Sequence, residues 1–404
     1  MTITDVLSGI DEVTPWQEAL YKDLHRHPEL SMQEHRTAEK ITAELTALGY
    51  DVHRVGGGVV GVLANGDWQT VLFRADVDAL PVEEETGLPY ASTVTATTPG
   101  GAAVPVMHAC GHDMHTAAAL GAARLLATHR DAWAGTYIAL FQPGEEIAAG
   151  ARAMVDDSLT AVVPRPDVAF GQHVLGALVS GHVGTVAGPV LSTAVSLRIT
   201  VYGKGSHGSM PHLGVDPVLL ASTIVVRLQS IVAREIAPDD FGVVTVGSVQ
   251  AGNSANVIPE SATLLVNVRA YDDSIRDHIV AAIERIVRAE CEASRTPREP
   301  AFEVFDSYPL TTNDTDVTER VTAALVEALG AGRVEKLAPQ TASEDFSVIP
   351  DAWGTPYAYW GFGAFTEDQE VLPNHNPGFA PAIQPTLRTG TEAAVAAALA
   401  YLAR

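Results

Sequence analysis

Cysteine is scarce in this chain of 404 residues, which has only Cys110 and Cys291, far apart and in unrelated contexts. This scarcity excludes a disulfide framework and favours a reducing compartment. The start of the chain, Met-Thr-Ile-Thr-Asp-Val, lacks the basic and apolar regions of an export signal. Long uninterrupted apolar runs are also missing from the sequence. We therefore expect a cytoplasmic protein that does not enter a membrane.

Positive charge is also in short supply. The chain has 25 lysines and arginines against 49 aspartates and glutamates, and its formal net charge is −24. The phosphates of nucleic acid would repel such a chain, so we expect no nucleic-acid partner. The acidity identifies no substrate, because solubility and self-repulsion explain it. With 47% hydrophobic and 18% charged residues, the composition is that of a globular protein, and the length favours two domains.

The first half of the chain alternates helical and extended patterns. A turn at Asn65-Gly66-Asp67 joins two of the predicted strands. The predicted helices cover residues 15–27, about 34–48 and 116–128, and the predicted strands cover residues 59–63, 71–75, 136–141 and 168–173. The polar residues that could carry chemistry follow these strands, and open α/β sheets place their sites at strand ends.

The pattern changes near Gly188. Residues 195–201 alternate apolar with polar or small side chains, as a half-buried strand does, and Asp216-Pro217 has the acid and the proline that open a helix. Strands at 243–246, 264–268 and 302–305, and a helix with isoleucines at 275, 279, 283 and 286 on one face, complete a βαββαβ order. This order predicts a ferredoxin-like α+β domain, residues 188–306, inserted into a mixed-sheet α/β domain of residues 1–187 and 307–404. A helix at about 386–402 ends the larger domain.

The run His108-Ala-Cys-Gly-His-Asp-Met-His115 is rich in side chains that bind zinc-like ions. Cys110 and His112 are two residues apart, so an extended or loop backbone would direct both side chains the same way. Cys110 alone would be read as a small buried core residue. Together with a glutamate pair and two later histidines, however, the run predicts a metal site. His108 and His115 are assigned supporting or structural roles.

Two pairs of carboxylates complete the candidate site. Glu145-Glu146 follows a buried strand and a Pro-Gly turn, where neighbouring carboxylates repel each other unless a cation separates their roles. One of them can then bind metal while the other handles protons. Asp76 and Asp78 lie at a strand end with the spacing that puts both on one face, and we assign them a supporting role in the site.

The pattern as a whole predicts a metal-dependent hydrolase, and two other classes of protein fit part of it. A cysteine hydrolase would use Cys110 as its nucleophile and a histidine as its base, but it explains neither the glutamate pair nor His375. A metal-dependent binding protein without turnover is the second alternative, and a second glutamate in the pair that handles protons without binding metal counts against it. A chelator and an assay for hydrolysis separate these alternatives.

Taken in order, the motifs resemble the amidohydrolase branch of the two-metal aminoacylase and carboxypeptidase superfamily, which includes hippurate hydrolases and auxin–amino acid conjugate hydrolases. The resemblance extends from about Leu24 to the C-terminal helix. Its motifs are Leu24-His-Arg-His-Pro-Glu-Leu-Ser, Arg74-Ala-Asp-Val-Asp-Ala-Leu-Pro, the histidine run, Gln142-Pro-Gly-Glu-Glu, Gly203-Lys-Gly-Ser-His-Gly-Ser, Ser254-Ala-Asn-Val-Ile-Pro, Ser343-Glu-Asp-Phe and Asn374-His-Asn-Pro. A series of this length in register is specific.

The resemblance implies a metal-dependent amidohydrolase that cleaves N-acyl amino acids to a carboxylic acid and a free amino acid. It implies a homodimer, with the inserted domain as lid and dimer interface, and two divalent ions per subunit, zinc first, with manganese, cobalt or nickel as alternatives. Asn256 and Arg269 are candidates to hold the substrate carboxylate.

The implied roles are metal ligation by Cys110, His112, Glu146, His173 and His375, general-base catalysis by Glu145, support by Asp78, and oxyanion stabilisation across the dimer by His207. Asp76 stands where peptidase relatives carry a metal-binding histidine. The residue that bridges the ions, the acyl group and the amino acid stay open.

Overall fold

The computed structural model describes residues 3–402. The helices are α1 (Ile3–Leu7), α2 (Ile10–Arg26), α3 (His35–Ala47), α4 (His112–Thr128), α5 (Gly150–Asp156), α6 (Leu159–Val162), α7 (Pro217–Arg234), α8 (Asp273–Ala293), α9 (Thr315–Leu329), α10 (Val348–Asp351) and α11 (Thr386–Leu402). The strands are β1 (Asp51–Val55), β2 (Gly58–Asn65), β3 (Thr70–Asp76), β4 (Thr95–Thr97), β5 (Ala103–Pro105), β6 (Gly135–Gln142), β7 (Val168–Val179), β8 (Val183–Thr185), β9 (Gly188–Leu191), β10 (Thr193–Tyr202), β11 (Ser206–His207), β12 (Gly242–Ala251), β13 (Val257–Ile258), β14 (Ser261–Ala270), β15 (Ala301–Tyr308), β16 (Thr311–Asn313), β17 (Val334–Lys336) and β18 (Tyr357–Phe365).

The described chain divides into two compact units, and the larger one contains residues up to 190, 312–339 and from 345 onward. Its centre is an eight-stranded sheet in the order β1-β2-β6-β3-β7-β18-β8-β17. The sheet is mixed, because β3 pairs in parallel with β6 and β7 whereas β2 pairs antiparallel with β1 and β6. The alanine-rich helices α4 and α11 are almost wholly buried, since small side chains let helices approach closely in a core. The predicted α/β fold with a mixed sheet is confirmed.

Three elements of the larger unit differ from their predictions. The turn at Asn65-Gly66 joins β2 and β3, but β6 lies between these strands in the sheet, so the turn closes no hairpin. Helix α2 begins at Ile10 and carries Pro15 inside it, where the predicted helix began. Helix α4 begins at His112 and not at residue 116. Its first turn escaped prediction because its buried polar side chains do not follow a hydrophobic period.

The smaller unit contains residues 191–311 and 340–344. Its main elements follow the order β10-α7-β12-β14-α8-β15, and its sheet has the antiparallel strand order β12-β14-β10-β15. Buried side chains of β10 and β14, among them Leu197 and Leu264, pack with the apolar faces of α7 and α8. Asp216 caps α7 by accepting the N–H groups of Val218 and Leu219, as the sequence predicts.

Helix α7 has a second apolar surface. Leu219 is 67% exposed and Val226 is 74% exposed, while Leu220, Ile224 and Leu228 are buried on the other side. By length and composition α7 is one helix in the described part of the chain that could cross a membrane, with a third of its residues buried. This is weak evidence, because a core helix of a globular protein meets the same criterion.

Candidate metal centre

Three strands of the larger unit, together with helix α4, bring the polar side chains to the same edge of the sheet. Strand β3 ends at Asp76, its neighbour β6 ends at Gln142, and the turn after β6 carries the glutamate pair. His173 lies inside β7, although β3 pairs with β7 only as far as Gly171. His173 therefore lies just past the part of β7 that pairs with β3, where β7 still pairs with β18 through Gly361, and not at a strand end as predicted.

The structure brings all five predicted ligands together in the larger unit. Three groups of donor atoms, each within 4.8 Å of one another, are Cys110 with His112 and His173, Cys110 with Glu146 and His375, and His112 with Glu145 and Glu146. Cys110 Sγ is 3.4 Å from His173 Nε2, and Glu146 Oε2 is 3.3 Å from His375 Nε2. Cys110 belongs to the first two groups, so it lies where two ligand sets meet.

Cys110 and His112 reach the centre across a tight turn at the start of α4, where the sequence predicts an extended or loop backbone. Gly111, between them, has a left-handed backbone with φ 82° and forms the N-cap of α4. A Cβ atom at this position would lie 2.4 Å from Cγ1 of Val174. Only glycine combines this turn with so close an approach, and the turn directs the thiol and the first imidazole of the helix into the same space.

Hydrogen bonds orient the ligand imidazoles. His112 Nδ1 lies 3.1 Å from Asp78 Oδ1, and His173 Nδ1 donates to the carbonyl of Val174 at 2.8 Å. Both Nε2 atoms are thereby left to face the other ligands. His112 Nε2 and Glu146 Oε1 are buried without a hydrogen-bond partner in the described residues, although they lie 3.8 Å apart. Buried polar atoms are rarely left unsatisfied, so this donor set fits a bound cation.

The charge around the centre also favours a cation. Burial would lower the pKa of His112, but Asp76, Asp78 and Glu146 raise it to about 10. Burial and the same negative surroundings raise the pKa of the Cys110 thiol well above its usual value. Carboxylates concentrated in one buried place attract positive charge strongly.

Each carboxylate oxygen of Asp76 is in hydrogen-bond contact with another side chain. Arg74 Nη1 donates to its Oδ2 at 2.7 Å, and His115 Nδ1 contacts its Oδ1. The other nitrogen of His115 accepts the backbone N–H of Val174 at 2.8 Å. This chain of contacts links β3, α4 and β7 behind the ligands, which agrees with a supporting role for Asp76 and His115. His108 is buried, and burial lowers its pKa to about 4.

The sequence analysis overlooked two residues that contact this centre. Ser31 Oγ donates to Asp78 Oδ2 at 2.7 Å, and that oxygen also accepts the N–H of Glu146 at 3.0 Å. Glu34 accepts the N–H of Gly144, just before the glutamate pair, at 2.8 Å. Burial, and then the charge of Asp78, raise the pKa of Glu34 to about 7. Only their place in the sequence could have indicated this, because Ser31 ends the motif that begins at Leu24 and Glu34 follows shortly after it.

The remaining predicted residues belong to the smaller unit. His207 pairs with Val257 across β11 and β13, and the N–H of Gly208 donates to the carbonyl of Asn256 at 2.8 Å. His207 and Asn256 are thus brought together on an exposed surface. Arg269 lies apart from them on β14 and donates to the Thr341 carbonyl at 2.8 Å. Its guanidinium also reaches Ser343 Oγ at 3.1 Å, so it holds the segment 340–344 within its own unit.

The larger unit is a mixed-sheet α/β domain with a cluster of thiol, imidazoles and carboxylates, and one glutamate lies beside the candidate ligands of a cation. This combination defines the class of metal-dependent hydrolases. The model of Peptidase family M20/M25/M40 matches residues 72–400, and the chain belongs to this family.

Individual relatives agree with this assignment. The chain is 36% identical over 366 residues to the N-acetylcysteine deacetylase of Bacillus subtilis, covering 87% of this chain and 91% of that protein. It is 34% identical over 366 residues to the hippurate hydrolase of Campylobacter jejuni, covering 90% of each chain. A crystal structure of a dinuclear metal binding peptidase of the M20 family from Bacillus subtilis matches with a TM-score of 0.77 and 29% identity, covering 96% of this chain and 99% of that one. The predicted family is confirmed, and so is the prediction of an amidohydrolase, a hydrolase of amide bonds.

Proposed function

We propose that this chain hydrolyses N-acyl amino acids to a carboxylic acid and a free amino acid. The observation that carries the proposal is the meeting of two ligand sets at Cys110, with the buried Glu145 beside them. The relatives named for N-acetylcysteine and hippurate, both N-acyl amino acids, support this substrate class.

Two divalent ions per subunit fit the donor set. His112 and His173 would hold one ion and Glu146 and His375 the other, and Cys110 belongs to both groups of donor atoms. A mixed sulfur, nitrogen and oxygen set suits zinc, and it also admits manganese, cobalt or nickel. When bound, such ions lower the pKa of water toward about 7 and polarise a carbonyl oxygen.

Glu145 is the proposed general base. Its Oε2 lies 4.0 Å from His112 Nε2, so it faces the same space as the ligand atoms. Glu145 accepts a proton from the attacking water and then gives it to the leaving nitrogen, because an amine leaves an amide only when it is protonated. Asp78 supports this step indirectly, since it orients His112 and holds the backbone of Glu146.

The smaller unit, for which the sequence predicts the bounds 188–306, is proposed to be a ferredoxin-like lid and dimerisation domain. Its exposed His207 would stabilise the developing oxyanion in the site of the partner subunit. Asn256 and Arg269 are proposed to bind the substrate carboxylate, and the contacts of Arg269 with Thr341 and Ser343 leave part of its fork of donors for that purpose. The exposed apolar surface of α7 is the candidate dimer contact.

A cysteine nucleophile at Cys110 fits this structure poorly. Reactive cysteines lie in electropositive surroundings that lower the pKa of the thiol. Here burial and the carboxylates of Glu146, Glu145 and Asp76 raise it. A bound divalent ion would stabilise the thiolate as a ligand, whereas these carboxylates disfavour the free thiolate that a nucleophile needs.

A release assay over a panel of N-acyl amino acids, with zinc, manganese, cobalt or nickel added in turn, tests the proposal. We expect free amino acid from at least one N-acetyl or N-benzoyl substrate, and at least about 10²-fold slower release from the Glu145→Gln variant. If no N-acyl amino acid is cleaved with any of these metals, the proposed substrate class is wrong.

A further inference from the structure

One carboxylate oxygen of Glu34 accepts a hydrogen bond from the turn that carries Glu145 and Glu146. Oε1 of Glu34 accepts the N–H of Gly144 at 2.8 Å and the N–H of Met32 at 2.9 Å. Glu34 is only 4% exposed, so water does not readily replace it as the acceptor for Gly144. Gly144 has a left-handed backbone with φ 56° and is the N-cap of the short 3-10 turn that begins at Glu145. The position of that turn therefore depends on a group far away in the sequence.

Glu34 does not serve its own helix. It stands at the N-cap position of α3 but makes no side-chain cap there. Glu29 caps α3 instead, because its two oxygens accept the N–H groups of Arg36 at 2.9 Å and of Thr37 at 2.8 Å. Acidic side chains at a helix N-terminus ordinarily satisfy the N–H groups of the first turn. Glu29 thus leaves the carboxylate of Glu34 available for Gly144.

The segment that carries Glu34 contacts the centre at a second point. Ser31 Oγ donates to Asp78 Oδ2 at 2.7 Å, and the same oxygen accepts the N–H of Glu146. Met32, next in the chain, has a left-handed backbone with φ 62°, which a non-glycine residue keeps only where its surroundings enforce it. A Cβ at Gly144 would lie 2.6 Å from Sδ of Met32. The segment 31–34 therefore packs closely against the start of the turn at Gly144, and it is linked to Glu146 through Asp78.

We propose that Glu34 is a positioning residue of the metal centre. By accepting the N–H of Gly144 it sets the place of Glu146 among the ligand atoms and of Glu145 beside them. The inference rests on the proposed metallohydrolase function and adds a residue that belongs to none of the ligand groups. Both hydrogen bonds fall on one oxygen, so hydrogen-bond acceptance, and not negative charge, is the property that matters.

Zinc affinity of the full chain, measured by competition with a chromophoric chelator, tests this role without depending on activity. Glu34→Ala is expected to weaken zinc binding by about 10-fold or more, the range for losing a group that orients a metal ligand. Glu34→Gln keeps an acceptor oxygen and is expected to stay within about twofold of wild type. Glu29→Ala is the matched control, because it removes a nearby carboxylate that also accepts two backbone N–H groups but leaves Gly144 bonded.

Equal zinc affinities in Glu34→Ala and Glu29→Ala would overturn the proposal. A loss in Glu34→Gln as large as that in Glu34→Ala would also overturn it, because charge would then be the property that matters. If Glu34→Ala does not fold, Glu34→Asp takes its place: its shorter side chain is expected to weaken zinc binding, and wild-type affinity in this variant contradicts the proposal.

The kinetics of zinc-saturated protein give a second readout. Glu34→Ala is expected to lower kcat with little change in KM, because the displaced glutamates act on the reacting atoms and not on the rest of the substrate. A wild-type chain that binds zinc but cleaves no N-acyl amino acid would contradict the proposed function alone. The zinc affinities of the variants would still decide the role of Glu34.

Discussion

At the scale of single residues, we propose different roles for Glu145 and Glu146, which are neighbours in one short turn. Glu146 faces His375 at 3.3 Å, whereas Glu145 lies 4.0 Å from His112 Nε2. Glu145→Gln keeps the shape but cannot accept a proton, so turnover should fall by at least about 10²-fold with metal content near wild type. Glu146→Gln should lose metal instead. Metal analysis beside steady-state kinetics checks both variants, and exchanged phenotypes would reverse the assignment of the pair.

Cys110 offers a second prediction at this scale. Cys110→Ser should weaken metal binding and activity together, because a neutral hydroxyl is a far poorer ligand than a thiolate. The other free cysteine of the described chain, Cys291, lies in the core of the smaller unit. Cys291→Ser is the control and should leave metal affinity unchanged. Wild-type metal affinity in Cys110→Ser would remove the thiol from the ligand set.

Sequence reasoning at the residue scale succeeds where the chemistry of a side chain is its own signal. Cysteine, histidine and paired glutamates are unusual enough that their clustering predicts a metal site. Ser31 and Glu34 carry no such signal, because a serine or glutamate before a helix looks like an ordinary cap. Their contacts with Asp78 and Gly144 are long-range, and only the folded chain shows them.

At the scale of elements, the turn between Cys110 and α4 determines whether the thiol and His112 meet. Gly111→Ala should lower the free energy of unfolding by more than the roughly 1–2 kcal/mol that a left-handed backbone costs an alanine, because its Cβ would lie 2.4 Å from Val174. It should also weaken metal binding. Gly101→Ala is the matched control, since Gly101 has φ 84° with nothing within 4 Å of the added Cβ. Denaturant unfolding and metal titration compare the two variants, and equal losses would contradict this role for Gly111.

Most helices and strands could be predicted from the sequence, because the hydrophobic periodicity and the residues that begin or end an element indicate the same structure. The helix at 386–402 and the cap at Asp216 are examples. The order of the strands in the sheet was harder to predict from the sequence. A turn at Asn65-Gly66 shows that the chain reverses, but it does not show that β6, much later in the sequence, lies between β2 and β3. The first turn of α4 was missed for a functional reason, since it buries His112, Asp113 and His115 where a helix prediction looks for apolar residues.

At the scale of the whole molecule, the proposed homodimer makes its own prediction. His207→Ala should reduce turnover without loss of metal, because it removes a donor for the oxyanion. Mixing it with Glu145→Gln should restore up to about a quarter of wild-type activity, because half of the dimers would then be mixed and each would have one complete site. The check is an activity assay after demonstrated subunit exchange. Absence of any recovery would show that His207 acts within its own chain or not at all.

The dependence of amide hydrolysis on metal content tests the central claim most directly. The protein is stripped with a strong chelator, and zinc, manganese or cobalt is returned in steps while release of free amino acid from an N-acyl amino acid is followed. We predict no activity in the stripped protein, and recovery that rises until about two ions are bound per chain. Full activity in thoroughly metal-free protein would contradict the account and return Cys110 to consideration as a nucleophile.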